Sequence, residues 1–448
     1  MELIMTATFS ELQKFVTLDQ LVSEKKTPDI VAPVFPGLGC GFFAVSFIAP
    51  LIEKSAAIMI APAICAHNAR VFMSRFEQSS FMLKNNLVFF LYEDDDIIHG
   101  AEETIKNAIV DFYHKQKPEV IFVVTSCLPE IVGEDIEAVV RQVRDVVKIP
   151  VLFIRTENFT NISSKQGMER ALEALIELMD YPVQKIPHSV NIIGASAFRS
   201  FNTELFTVIS KTGYSIHSVI PSHTDLNTLQ KAPEASCNII LDRGALPLAE
   251  KMKEKYQMDY FLFDRPFSPE SILHLYRNLG MFLSVDIESI ITPEYNSLLQ
   301  LTSVLKQGLA GKKAIISIGQ GRTFDLAFLL HSFGIKIAAI AIDEIFEQDY
   351  ADAKKFHSDG GKSDIIRNAS CYPLEEYLVR IKPDYYITFS GYEENMCKEN
   401  HIGYRNIHSI AFLNGFDFAI HILLEIFGDY VQTIPNFDIS AMKMRVNA

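Results

Sequence analysis

Cys40, Cys65 and Cys127 are the residues with the clearest capacity for chemistry. Cys40 lies in PGLGCGF, Cys65 in APAICAHN, and Cys127 closes the run EVIFVVTSC. Glycines on both sides of Cys40 let the backbone come close to a bulky inorganic ligand. Cys65 stands three residues after Pro62, at the end of an apolar run, and Cys127 precedes a helix start near Gly133. Three thiolates from three separate loops match no compact zinc or ferredoxin motif. They do fit a cluster site assembled by the fold. The blander alternative is three small buried thiols. The remaining cysteines carry less. Cys237 opens the apolar run CNIIL and reads as core, and Cys371 and Cys397 read as structural thiols.

The elements that must position these cysteines are short apolar runs alternating with amphipathic stretches. That pattern predicts parallel sheets with crossover helices. Strands are expected at 56–61, 88–92, 119–125, 151–154, 190–194, 237–241, 260–263, 313–318, 335–341 and 385–389. Most are continuously apolar, as strands buried on both faces should be. The clearest helix is GEDIEAVVRQVRDVV, with Ile136, Val139, Val140, Val143, Val146 and Val147 at helical spacing. Glu134 and Asp135 are expected to serve its N-terminus. Glu93, Asp94, Asp95 and Asp96 read as a solvated turn, and His357 as part of a polar loop. Three blocks emerge: 1–185 with the three cysteines, 186–288, and 289–448. KPEVIFVVTSC at 117–127 and KPDYYITFSG at 382–391 echo each other. Each would deliver polar residues beyond the carboxyl end of a strand, where ligands collect in open α/β sheets.

Composition narrows the function classes. Hydrophobic residues make up 48% and charged residues 21%, the balance of a folded soluble protein. Lys+Arg is 41 against Asp+Glu 55, a net charge of −14, with no basic run. That argues against nucleic-acid binding, which needs clustered positive charge. The opening MELIMTATFSELQKF has no basic segment followed by an apolar one, so no signal peptide is expected. A cytoplasmic location is the expectation, and there disulfides are a poor default. Residues 31–52 carry no charge, but prolines and glycines break them. They read as a buried irregular loop and not as a membrane span.

The run VVTSCLPEIVGEDIEAVV at 123–140 resembles the hallmark segment of nitrogenase component 1 proteins and their relatives. These include catalytic subunits, cofactor-assembly scaffold subunits and nitrogenase-like tetrapyrrole reductases. Cys40 and Cys65 match the family's two upstream cluster cysteines, and the intervals of 25 and 62 residues (40 to 65 to 127) are close to those of the scaffold subunits. RNIHSIAFLNGFDFAIHIL at 405–423 is similar to the family's His-Ser…Gly-Phe…Ala segment.

The resemblance implies an α/β fold of three Rossmann-like domains, each a mainly parallel sheet flanked by helices, around a central cleft. It implies that Cys40, Cys65 and Cys127 ligate a [4Fe–4S] cluster, or half of a larger cluster shared with a partner. The partners implied are an ATP-dependent iron protein, itself a dimer, and a homologous second subunit or a second copy of the chain. The cleft would take a small-molecule substrate, a second metallocofactor or a tetrapyrrole. His408 matches the family's histidine beside the catalytic metallocofactor, and an imidazole there can bind a metal or pass a proton. Arg322, in GQGRTF, could hold an anionic group, with Gly319 and Gly321 permitting close approach. The chain departs from the family in the second block. Where nitrogenase subunits anchor their large cofactor with a cysteine, the run CNIILDRGA offers Leu241 or Asp242. Asp242 is then a candidate proton donor or ligand, and dinitrogen is an unexpected substrate. An electron-accepting oxidoreductase subunit is the expected function, with a cofactor-assembly scaffold as the alternative.

Overall fold

Apolar runs fold as strands and the amphipathic stretches between them as helices. The computed structural model describes residues 16–27, 40–74, 86–156, 164–180, 184–194, 203–222, 224–319, 322–342, 345, 347–367, 377–389, 393–407, 413–435 and 437. First come β1 (Val16–Thr17), α1 (Leu18–Glu24), α2 (Gly41–Ile48), β2 (Ser55–Ala61), α3 (Ala63–Ser74), β3 (Leu87–Leu91) and α4 (Asp94–His99). Then follow α5 (Glu102–Gln116), β4 (Val120–Thr125), α6 (Cys127–Val132), α7 (Ile136–Val147), β5 (Val151–Arg155) and α8 (Ser164–Ala174). The middle of the chain holds β6 (Ile186–Ile193), α9 (Glu204–Lys211), β7 (Ser215–Ile220), α10 (Leu226–Lys231), β8 (Ala235–Ile240), α11 (Leu246–Tyr256) and β9 (Asp259–Leu262). After α12 (Pro269–Leu283) and α13 (Glu288–Gly308) come β10 (Lys313–Gly319), α14 (Thr323–Ser332), β11 (Lys336–Ile342), α15 (Glu347–Ser358) and β12 (Asp364–Arg367). The last elements are β13 (Tyr385–Thr388), α16 (Glu394–Glu399), β14 (Gly403–Asn406) and α17 (Gly415–Val431).

Among the described residues the strands form three sheets, ordered β3-β2-β4-β5, β7-β6-β8-β9 and β1-β12-β11-β10-β13-β14. Every pairing among them is parallel except that of β1 with β12. Parallel sheets flanked by helices are the expected α/β class. The chain divides into two compact units. One comprises Pro36–Arg199 and Gly213–Phe263, with the first two sheets; the other comprises Met1–Phe35, Ser200–Thr212 and Asp264–Ala448, with the third.

Each sheet has a topological switch point, where consecutive crossovers leave in opposite directions. It lies between β2 and β4, between β6 and β8, and between β10 and β13. The carboxyl ends of such strand pairs open a crevice that takes ligands. The core beneath the first crevice is apolar: Met59, Phe122, Val124 and Leu152 are buried within one cluster, against which Cys40 and Cys65 pack.

The strands that depart from expectation share one cause. Strands β7, β12 and β14 do not announce themselves in the sequence. β7 and β14 are sheet edges, and β12 is flanked on one side only by the two residues of β1. Such strands need not be apolar on both faces, so SIHSVI, DIIR and GYRN carry polar residues. The acidic run after β3 is not an open turn but α4, started by a capping box between Glu93 and Asp96. Val146 stands off the buried stripe of α7, in the last turn, and is exposed. The uncharged stretch ends in the eight-residue α2 and a Pro50-containing turn. No helix among the described residues is long and apolar enough to cross a membrane.

Candidate metal centre

Two of the three cysteines follow the strands that flank the first switch point. Ile60 of β2 stands opposite Thr125 of β4, and the Ser126 N–H donates to the Ile60 carbonyl at 2.9 Å. Cys127 is the next residue and opens α6; Cys65 lies in the first turn of α3, just beyond β2. Cys40 is the N-cap residue of α2, and its carbonyl accepts from the Phe43 N–H at 3.2 Å. All three side chains are half-buried. They also sense one another. Burial pushes the Cys40 thiol up to about 11, and Cys127 and Cys65 add to the shift. Burial and then Cys127 raise the Cys65 thiol. Three converging thiolates repel each other unless a cation sits among them, and a metal-bound thiol is deprotonated outright.

The donor set fits an iron–sulfur cluster. Soft thiolates from separate loops are its usual ligands. No group of three or more His, Cys, Asp or Glu among the described residues surrounds a single metal ion. A cluster does not need that, since its irons occupy several positions and each thiolate binds a different one.

The residues around Cys127 hold it in place. The Thr125 hydroxyl donates to Glu130 Oε1 at 2.5 Å, and the Thr156 hydroxyl donates to the Thr125 carbonyl at 2.6 Å. Arg155 stands 3.8 Å from the other Glu130 oxygen. Gly133 ends α6 with φ 90°, a conformation that favours glycine. Asp135 caps α7, accepting from the Ala138 N–H at 2.9 Å, as the sequence predicts. Glu134 does something else. It accepts from Tyr92 Oη and from the Ala101 N–H, both at 2.8 Å, and so serves the start of α5 instead of α7. Thr125 and Glu130 were not singled out from the sequence, although both lie inside the hallmark run; only the fold shows the bond between them.

The other candidates sit at the other switch points. Asp242 follows β8, beside Gly194 at the end of β6; a side chain at Gly194 would place its Cβ 2.6 Å from Asp242 Oδ2. Cys237 is buried within β8, and burial pushes its thiol up to about 11. Cys397 is buried in α16, its thiol pushed up to about 12 by burial. Gly319 ends β10, opposite Ile342. Arg322 lies just beyond it and already has anions of its own. Its Nε and Nη2 donate to Asp352 at 2.5 and 3.1 Å, and Asp264 and Asp325 lie 3.5 and 3.8 Å away. His357 meets Asp19 at 3.2 Å. Gly321, Cys371 and His408 lie outside the described residues. Ile407, which precedes His408, donates its N–H to the Thr388 carbonyl at 2.8 Å, beside the third switch point.

These features can be set beside known proteins. Residues 40–414 match the model of the nitrogenase component 1 type oxidoreductases. The chain belongs to that family. It is 22% identical to the nitrogenase iron-molybdenum cofactor biosynthesis protein NifE of a Nostoc species, over 74% of this chain and 71% of that one. With the NifE of Methanococcus maripaludis it shares 23% identity, over 67% and 64%. The nitrogenase molybdenum-iron protein alpha chain of Clostridium pasteurianum is 23% identical over 73% and 65%. A solved structure described as nitrogenase Cp1 at pH 6.5 superposes with a TM-score of 0.69 at 20% identity, covering 94% of each chain.

Proposed function

We propose that Cys40, Cys65 and Cys127 hold an iron–sulfur cluster in the electron-accepting, substrate-reducing subunit of a nitrogenase-like oxidoreductase. The observation that carries this is the placement of Cys65 and Cys127 beyond the two strands of one switch point, with Cys40 electrostatically coupled to both. When bound, the cluster supplies one-electron acceptance and release. The chain contributes the thiolates, the Thr125–Glu130 brace behind Cys127 and an apolar core beneath. Electrons would come from an ATP-dependent iron protein. Ile64 and Ile131, one beside each of two cluster cysteines, are both 62% exposed. Apolar exposure there supports a surface covered by a homologous second subunit or a second copy of the chain. Three domains, 1–185, 186–288 and 289–448, would each carry one switch point. Asp242 and His408 would move protons or hold a ligand. Arg322, saturated by its own carboxylates, would instead fix the start of α14. With no anchor cysteine in the second block, dinitrogen is not the substrate we propose.

A second reading is a cofactor-assembly scaffold that binds a metallocluster precursor without turnover. The names of the NifE relatives favour it. Purification without oxygen separates these readings. Bound iron and sulfide are expected in both. Substrate reduction with an iron protein, ATP and reductant is expected only in the first. Protein that stays free of iron and sulfide after reconstitution would overturn both.

A further inference from the structure

We propose that Gly167 is a positioning residue that sets where the Cys40 thiol stands; this rests on the cluster reading above. Gly167 lies in the first turn of α8. A glycine inside a helix is less favourable than alanine, so it needs a reason. The reason is the backbone of Gly41. A Cβ on Gly167 would fall 2.4 Å from both the Gly41 Cα and its carbonyl oxygen, and 2.7 Å from the carbonyl carbon. These are backbone atoms, which cannot swing aside. Gly41 is the first residue of α2 and follows Cys40 directly. Any displacement of Gly41 therefore carries the thiol with it.

Helix α8 is not the element that gives way. On its other side, Met168 packs on Gly244, where an added Cβ would meet the Met168 sulfur at 3.1 Å. Ala171 and Leu172 are buried in the core. Arg170 donates to the Arg155 carbonyl at 2.8 Å, and Glu173 pairs with Lys251 at 2.7 Å. With α8 clamped, a larger residue at 167 pushes on α2 and Cys40. The same turn thus ties Cys40 of the first sheet's crevice to the Asp242 corner of the second, since Gly244 also lies 3.1 Å, from its would-be Cβ, to Asp242 Oδ1.

The test uses Gly167→Ala in the full chain, with Gly428→Ala as control, because nothing lies within 4 Å of an added Cβ at Gly428. In metal-free protein, iodoacetamide labelling is mapped cysteine by cysteine. Gly167→Ala should change the Cys40 rate several-fold and leave Cys127 as in the wild type. After reconstitution the variant should lose iron to a chelator about tenfold more readily, as supporting residues of metal sites do, with an altered electron paramagnetic resonance spectrum. Adding Met168→Ala, which frees α8 on its far side, should return both readouts towards wild type. Unchanged Cys40 labelling in Gly167→Ala overturns the proposal. Should that variant not fold, amide exchange in the wild-type 164–174 segment decides: loading with iron and sulfide should slow it, and no change overturns the proposal. If the wild type takes up no iron, the cluster reading fails, while the labelling still tests the contact.

Discussion

At the scale of single residues, the cluster ligands and their braces are separable. Cys127→Ala should abolish bound iron, because one of three thiolates from the starts of three separate helices is lost. Cys371→Ala should leave it intact; equal iron in both variants would count against the ligand set. The brace is tested by Thr125→Val, which keeps the side-chain shape and removes the hydroxyl that donates to Glu130. Glu130 then loses its neutral donor in a mostly buried place, with a loss of about 1–3 kcal/mol in unfolding free energy. Amide exchange in β4 and α6 measures that, and unchanged rates would show that the bond is dispensable.

At the scale of elements, the Lys-Pro-acid echo proves to be a repeated structural unit. Lys117 and Lys382 both end a helical segment in the left-handed conformation, with φ 48° and 47°. The acid two residues later opens a strand and meets a lysine at the start of the neighbouring one: Glu119 with Lys54 at 2.8 Å, Asp384 with Lys312 at 2.9 Å. Burial opposes the charge on Asp384, but hydrogen bonds from Lys312 and the Lys313 N–H outweigh it and hold the carboxyl below its usual range. Its ionised form therefore stabilises the fold at neutral pH, and that contribution is lost as pH falls from about 4 through the depressed value. Asp384→Asn should reduce the acid sensitivity of the β10–β13 pairing, read by amide exchange. Lys382→Gly should be neutral or stabilising by up to about 1 kcal/mol, because glycine adopts φ > 0 without the side-chain penalty.

At the scale of the whole molecule, the chain leaves one unit to contribute α9 to the other, and that helix carries a buried acid. Glu204 accepts from the Asp417 N–H at 2.7 Å, at the start of α17. Burial, then the Asp417 carboxyl, pushes Glu204 well above its usual 4.5. Between the usual and the raised value the folded state keeps a proton that the unfolded chain has released. Stability from this group is therefore complete below about pH 4.5 and drains away as pH rises through the raised value. Glu204→Gln should flatten that slope. Amide exchange in α17 is the suitable readout, since a two-unit chain need not unfold in one step. An identical slope in the variant would show that Glu204 is not the group responsible.

Local chemistry in the sequence determined most strands, the helix stripe of α7 and the three candidate cysteines. Continuous apolar runs, helical spacing and Gly/Pro punctuation act over a few residues, so they are readable there. The edge strands β3, β5 and β9 were legible as apolar runs, but β7, β14 and the near-edge β12 were not, because a strand with little or nothing on one side need not be apolar on both faces. Only the tertiary structure decided what long-range pairing decides. Strand order put Cys65 and Cys127 at one switch point. Packing set Gly167 against Gly41. The fold also gave Arg322 the carboxylate of Asp352 as its anion, and turned Glu134 from the adjoining helix to the start of α5. The physical reason is that each of these depends on which distant segments the sheets bring together, and no local pattern of residues records that.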